Sequence, residues 1–300
     1  MIYYLILAHN NLNQLEILVN KLKTDNSEIY IHLDKKIKNF KEIKSAHYIK
    51  NRQDISRGWT KMIEAELIWL FEIEKHMKEW DHVVIISWQC FPIKKMDYIE
   101  NYINELGNKS CIDYQIASKN MVNARITWYH FYDTKFHIPK KINDVLIKFL
   151  SFFKNFDTSI KVPVINVIIS KIVSFILPKR KFLTKNFKIY YWSQRMILSE
   201  KHIRFIKKFL ESDKWRKTKK SFAYTAICDE IFFQTICCNL INHDELIKNT
   251  LRYIKWENWK ASPKNLSIND LNEIKKSDKL FARKFNISFD AKILTDLNNL

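Results

Sequence analysis

The sequence predicts an α/β fold with a mostly parallel central sheet flanked by helices, and three observations predict it. Short apolar runs alternate with helix-periodic segments through the first hundred residues, the rhythm of βαβ units. Those runs are apolar at nearly every position, as strands covered on both faces must be. Each run also ends in polar residues: Ala8-His9, His32-Leu33-Asp34 and Ser87-Trp88-Gln89. Parallel sheets bind ligands beyond the carboxyl ends of their strands, so these tips read either as a nucleotide site or as ordinary loop polarity.

The elements follow in order. Residues 2–8 (IYYLILA) read as a buried first strand. The run is too short for a membrane anchor, and no basic stretch precedes it as in a signal peptide. Residues 11–22 carry Leu12, Leu15, Leu18, Val19 and Leu22 at helical spacing, and residues 28–33 form a strand ending at Asp34. Residues 61–77 predict a helix with Met62, Ala65, Ile68, Trp69 and Ile73 on its buried face. Residues 81–87 are a Val/Ile strand and 98–106 a helix. The last third predicts a strand over 188–198, a basic helix over 200–210, a helix over 229–240 and a strand over 250–256.

Composition excludes several function classes. Gly58 and Gly107 are the only glycines among 300 residues, so neither a G-x-G-x-x-G nor a P-loop cradle can be written. Dinucleotide-binding Rossmann proteins, P-loop NTPases and protein kinases are thereby excluded. The five cysteines (90, 111, 228, 237, 238) show no C-x-x-C spacing, which predicts a reduced, cytoplasmic chain without a zinc ribbon. The net charge is +19, and residues 133–220 hold 22 Lys/Arg against 6 Asp/Glu. Charge gathered in this way favours an anionic partner: nucleic acid, lipid headgroups or a phosphorylated substrate.

Within that basic stretch, residues 164–177 read VINVIISKIVSFIL, with Asn166, Ser170 and Ser174 as a thin polar stripe, and Lys179-Arg180-Lys181 follow Pro178. Fourteen residues cannot span a bilayer as a helix. The pattern fits a helix lying in a membrane interface, or one packed on the core or on a second copy. Residues 145–156 repeat the mixture of apolar residues and lysine.

Candidate chemistry gathers in the last third. Asp229-Glu230 precede the apolar run IFFQTICCNL, where one acid can cap the helix while the other acts as a general base. Arg252 lies in LRYIKW, and Lys284 lies in LFARKF between Phe281 and Phe285. An Arg and a Lys can neutralise a diphosphate without a metal. No Asp-x-Asp occurs, so the usual divalent-cation clamp of a nucleotide-sugar enzyme is missing and no metal site is expected.

In order, YLILAHNNLNQLEILVNKL, IYIHLDKK, WTKMIEAELIWL, WDHVVIISWQCFPIKKMDYIENYI, CDEIFFQT, LRYIKW and KLFARKF form a series. The series resembles the core-2/I-branching glycosyltransferase family, which includes the peptide O-xylosyltransferases, over about residues 2–110 and 190–300. The resemblance implies a GT-A-like fold, a UDP-sugar donor and inversion at the anomeric carbon without a metal or other cofactor. It implies Glu230 as catalytic base, Arg252 and Lys284 on the diphosphate, Asp34 on the uridine, the backbone near Ala8 on the base, and Arg57 as a further donor contact. One domain over 1–300 is expected. It comprises a nucleotide-binding half (1–130), a basic amphipathic helical insertion (131–187) and an acceptor and catalytic half (188–300).

Two departures from the family pattern concern the acceptor and the sugar. Trp192-Ser193-Gln194-Arg195 stands where relatives show Gly-Ser-x-Trp, and Arg57-Gly58-Trp59 stands near the position of Trp-Gly-Gly. Without an N-terminal anchor or disulfides, the chain resembles the bacterial, cytoplasmic branch. The expected acceptor is then a glycan or glycolipid, such as a lipid-linked surface oligosaccharide, met at the anionic inner leaflet by an enzyme attached peripherally. N-acetylglucosamine is the sugar the resemblance favours. UDP-xylose or UDP-glucose transfer on the same fold is the alternative. A basic RNA- or lipid-binding protein is the non-enzyme reading, but it leaves the ordered motifs unexplained, so no nucleic-acid partner is expected.

Overall fold

The computed structural model describes residues 1–50, 52, 60–130, 164–178, 180, 187–213, 215, 222, 224–258 and 262–299. Its strands begin with β1 (Ile2–Ala8), β2 (Ser27–Leu33), β3 (His47–Tyr48), β4 (His82–Ser87), β5 (Cys90–Pro92) and β6 (Ser110–Cys111). They continue with β7 (Gln115–Ile116), β8 (Tyr190–Tyr191), β9 (Met196–Ser199), β10 (Leu246–Ile247), β11 (Arg252–Ile254) and β12 (Phe281–Arg283). The helices are α1 (Leu12–Leu22), α2 (Thr60–Glu74), α3 (Met96–Asn104), α4 (Lys119–Val122), α5 (Val164–Ile176), α6 (Glu200–Glu211), α7 (Phe232–Leu240), α8 (Leu271–Lys276) and α9 (Lys292–Asn298).

The mostly parallel α/β sheet expected from the sequence forms. Its order is β10-β6-β9-β4-β1-β2-β3. β1 lies between β2 and β4 and runs parallel to both, with Ala8 opposite Leu33 and Leu7 opposite Ser87. β9 breaks the rule, running antiparallel to both β4 and β6. Alternation along β1 sorts its side chains into two cores. Tyr4, Ile6 and Ala8 face Leu15, Leu18 and Leu22 of α1 and Phe281 and Phe285 near the C-terminus. Tyr3 and Leu5 face Trp69 and Ile73 of α2, Ile203 of α6 and Phe233 of α7.

β1 matches its expected bounds, and α1 starts one residue later, behind Asn11. The Asn11 side chain accepts the Gln14 N–H as an N-cap. Other expectations need correction. On α2, Ile68 is exposed, while Ile63, Glu66 and Leu70 join Trp69 and Ile73 inside. The strand expected over 188–198 splits into β8 and β9, because Ser193, Gln194 and Arg195 turn into polar contacts described below. The helix expected from 229 begins at Phe232, and Asp229 and Glu230 occupy a preceding 3-10 turn, Cys228–Glu230. The strand over 250–256 shrinks to β11, because Leu251 adopts a positive φ of 55° before it. Residues 145–156 lie outside the described residues. A second sheet, β11-β12-β5, has three-residue strands and no periodicity to announce it.

That second sheet is tied to the first through Gln14. Its Nε2 donates to the carbonyls of Trp88 (3.0 Å) and Phe285 (3.1 Å), and its Oε1 accepts the Ile287 N–H (2.8 Å). One buried amide thus joins α1, the loop after β4 and the segment after β12. Gln14→Leu keeps the volume but leaves these buried backbone groups unpaired, and should lower the unfolding free energy by about 2–4 kcal/mol. Urea titration checks this against Glu16→Gln on the exposed face, expected within about 0.5 kcal/mol of the parent.

Candidate active site

The turn that carries the expected base is held by its neighbours. Ile227 precedes it in the left-handed region (φ 51°), costly for a β-branched residue and a conformation that must be over-determined to persist. Segment 190–194 supplies the hold. Trp192 N–H donates to the Glu230 carbonyl (2.9 Å), Gln234 Nε2 to the Ser193 carbonyl (2.6 Å), and Thr235 Oγ1 both accepts from Tyr190 N–H (3.1 Å) and donates to its carbonyl (3.0 Å). Asp229 is buried. Glu230 is 37% exposed, and its Oε2 accepts from Arg125 Nη1 at 3.1 Å. The pair is therefore one inward and one outward acid.

At the carboxyl ends of the strands stands a group of arginines. The small sheet assembles it by register: Arg283 lies opposite Cys90, and Arg252 opposite Phe281. Arg252 is buried, donating from Nη2 to the Ile85 carbonyl (2.8 Å) and from Nη1 to that of Thr250. Burial lowers its guanidinium to about 10, with Arg195 and Arg283 adding to the effect. Burial alone would raise the Cys90 thiol, but Arg283, Arg195, Arg252 and the Ser87 hydroxyl outweigh it and the thiol is lowered. Burial lowers the His9 imidazole too; Asp34 opposes this, while Lys36, Arg195 and Arg283 add to it. The strand ends thus hold more positive than negative charge in a site of reduced dielectric, the electrostatics of an anion site.

Of the remaining expected donor residues, Ala8 and Asp34 fall on these same ends. Ala8 is buried, and its carbonyl accepts the Asp34 N–H (2.9 Å), which locks the ends of β1 and β2 together. Asp34 is buried, and its Oδ1 accepts the Lys36 N–H (2.8 Å). Lys284 follows Arg283, and its ammonium lies 3.4 Å from Ser262 Oγ. Phe281 and Phe285, expected to flank it, are wholly buried in the core instead. Arg57 lies outside the described residues. Among the described residues no group of three or more His, Cys, Asp or Glu is placed to hold a metal ion.

Arg195 joins the two centres. Its charge acts on His9, Cys90 and Arg252 on one side, and on Glu66, which also feels Asp229, on the other. Arg195 Nη1 donates to Gln194 Oε1 (2.9 Å), and Gln194 Nε2 donates to Glu66 Oε1 (2.8 Å). Sequence reasoning noticed Arg195 as a departure without giving it a role, and missed Glu66, Arg125, Arg283 and Cys90. Glu66 carried a signal: it lies four residues after Met62 and three before Trp69, a carboxylate on the apolar face of a helix. Arg125 and Cys90 carried none.

Glu66 makes this network measurable. Burial raises its carboxyl to about 8 from 4.5, with Arg195 opposing and Asp229 reinforcing. The folded state therefore holds a proton that the unfolded state has released, and stability falls as pH rises towards 8. His32 and His130, each lowered to about 4 by burial, act in the opposite sense but only below 6.5. Between pH 6.5 and 8 the Glu66 effect stands alone of the three. Glu66→Gln, which cannot ionise, should flatten the fall in unfolding free energy over that window, as read by urea titration at several pH values. An unchanged slope would place the carboxylate charge elsewhere.

Comparison with known proteins adds the family. The Core-2/I-Branching enzyme model matches residues 2–276. No curated protein matches the chain significantly. Among solved structures, mouse xyloside xylosyltransferase 1 in its apo form is 8% identical, with a TM-score of 0.37 over 94% of this chain and 97% of that one. A Bacillus anthracis protein assigned as a glucose-1-phosphate thymidylyltransferase, in complex with sucrose, is 12% identical, with a TM-score of 0.32 over 82% and 85%. Scores of this size assign neither sugar nor substrate. The family match takes in the strand ends, the acidic turn and Arg252, and on it the chain belongs to the Core-2/I-Branching enzyme family and is a glycosyltransferase.

Proposed function

We propose that the enzyme moves a sugar, N-acetylglucosamine first among candidates, from a UDP-sugar to a hydroxyl of a glycan acceptor, with inversion and without a metal. The observation that carries this reading is the division of charge: an acidic turn on one side of Arg195 and an arginine group on the other. In this reading UDP takes the second centre. Asp34 and the backbone at Ala8 take the uridine, and Arg252 and Lys284 neutralise the diphosphate, within the field of Arg195 and Arg283. Arg57 is a further donor contact. The uridine then belongs to residues 1–130, and the cations on the diphosphate, the base and the acceptor to 188–300.

Glu230 is the base. Arg125 fixes Oε2, so Oε1 is the oxygen that receives the proton. The acceptor hydroxyl oxygen attacks the anomeric carbon and its proton passes to Glu230. The bond from that carbon to the donor phosphate breaks on the opposite face, and its electron pair leaves with UDP. Charge grows on the departing phosphate, where preorganised cations in a site of low dielectric stabilise the transition state more than the ground state. The acceptor in this reading is a lipid-linked bacterial surface oligosaccharide, met at the cytoplasmic face of the membrane.

Three measurements test the reading. Glu230→Gln should lower kcat by about 10²-fold or more with UDP affinity retained; near-normal turnover would move the base, with Asp229 the next candidate. Lys284→Ala and Arg252→Ala should each weaken UDP binding by about 1.5–3 kcal/mol while uridine binds as before; equal losses for both ligands would mean that the fold was harmed. Transfer should persist in excess EDTA, and loss of activity restored by Mn²⁺ would overturn the metal-free mechanism.

A further inference from the structure

Helix α5 carries its polarity reversed. Ser170 is buried, and Ser174 Oγ accepts the Tyr129 N–H at 2.8 Å, so these members of the polar stripe face the protein. The apolar residues face away: Phe175 is 91% exposed and Ile176 71%, with Ile172 and Leu177 also exposed. Trp128, next to Tyr129, is exposed as well, as is Lys171 on the helix itself. An exposed cluster of large apolar residues is unusual for a surface with no partner.

The cluster is fastened beside the catalytic turn. Arg180 Nη1, just beyond α5, donates to the carbonyls of Ile126 (2.9 Å) and Tyr224 (2.8 Å). Ala226 N–H donates to the Arg125 carbonyl (2.9 Å), and the Arg125 side chain holds Glu230. The end of α5, the segment bearing Arg125 and the segment leading to Glu230 are therefore one bonded unit.

We infer that the outward face of α5, with Trp128, docks on an anionic lipid bilayer and so sets the Glu230 turn near the headgroups. The inference rests on the glycosyltransferase reading and deepens it by naming the surface that meets the membrane. Charge complementarity decides the occupant. In sequence the helix sits inside the 133–220 stretch, with its 22 Lys/Arg against 6 Asp/Glu, and its own exposed cation is Lys171, so an anionic surface attracts this part of the chain. A second copy of a +19 chain would bring like charge to like. The 13-residue helix is too short to span a bilayer, and no described helix is long and apolar enough to do so. Lying in the interface with Trp128 at headgroup depth is the geometry left to it.

Co-sedimentation of the full chain with vesicles tests this. Binding should be strong to equal parts phosphatidylglycerol and phosphatidylcholine and weak to phosphatidylcholine alone. Salt should reduce it without abolishing it, because apolar burial is not screened. Phe175→Ser with Ile176→Ser changes only exposed positions. It should weaken binding to the anionic vesicles by about tenfold or more, with UDP affinity and transfer to a soluble acceptor unchanged. Failure to bind anionic vesicles at low salt, or equal binding by the double variant, would overturn the inference. So would a parent dimer that the double variant dissociates, since the face would then belong to a second copy. If vesicle binding failed while UDP-dependent transfer persisted, the docking surface alone would fall. If the parent bound vesicles but neither bound UDP nor transferred sugar, the glycosyltransferase reading would fall instead.

Discussion

The structure is organised around unbalanced positive charge at the carboxyl ends of the central strands. Arg195, Arg252 and Arg283 act on one buried thiol, and that thiol is held below its usual range although burial alone would raise it. Burial lowers Arg252 itself to about 10, and Arg195 and Arg283 add to the effect. Such an arrangement is costly to an empty protein and is relieved by an anion. A diphosphate does this, and leaves with still more negative charge than it arrives with. The same imbalance that costs stability in the free enzyme is thus the source of leaving-group stabilisation in the proposed reaction.

That charge is placed by topology more than by any local motif. β5 turns back from the loop after β4 and pairs with β12, which pairs with β11, so residues nearly two hundred positions apart meet beside Cys90. Gln14 holds the loop and the C-terminal segment to α1 with three hydrogen bonds. On the other side, segment 190–194 clamps the acidic turn against α7 and accounts for the uncommon backbone at Ile227. Arg195 follows that segment directly, so one stretch of chain, 190–195, both fixes the acidic turn and contributes a cation to the strand ends. The departure from the family's Gly-Ser-x-Trp pattern at Trp192–Arg195 falls on this shared piece.

How much was legible in the sequence follows from the range of each interaction. β1, α1, β2 and β4 could be read because their signals are local: continuous apolar runs, helical spacing and a capping Asn11. Asp34 and Ala8 could be placed because strand ends follow from strands. The antiparallel course of β9 and the three-residue strands of the second sheet have no local signal, and Cys90 acquires its environment only through them. Glu66 was visible as a carboxylate on an apolar face, but its partner Gln194 lies 128 residues away, so the pairing could not be read. Glu230 was singled out as a candidate base through the family resemblance, while Arg125, which pairs with it, sits in a stretch of no regular periodicity.

In the proposed reading the two concentrations of positive charge in this chain do different work, and burial separates them. The arginines at the strand ends are partly or wholly withdrawn from water, so their field is little screened and acts over short distances on a bound anion. The lysines of 133–220 form a large, sequence-dense charge whose effect on a distant surface salt can weaken. Sequence composition sums the two into a single +19 and so suggests a nucleic-acid binder as readily as an enzyme. The structure divides the sum: the buried arginines sit at the carboxyl ends of the central strands, and the reversed helix α5 sits within the basic stretch of sequence. A nucleic-acid surface would need exposed cations interleaved with stacking aromatics. Here Ile172, Ile176 and Leu177 are exposed beside Phe175 and Trp128, so aliphatic area that bases cannot stack on makes up much of the face and is surface that lipid can bury.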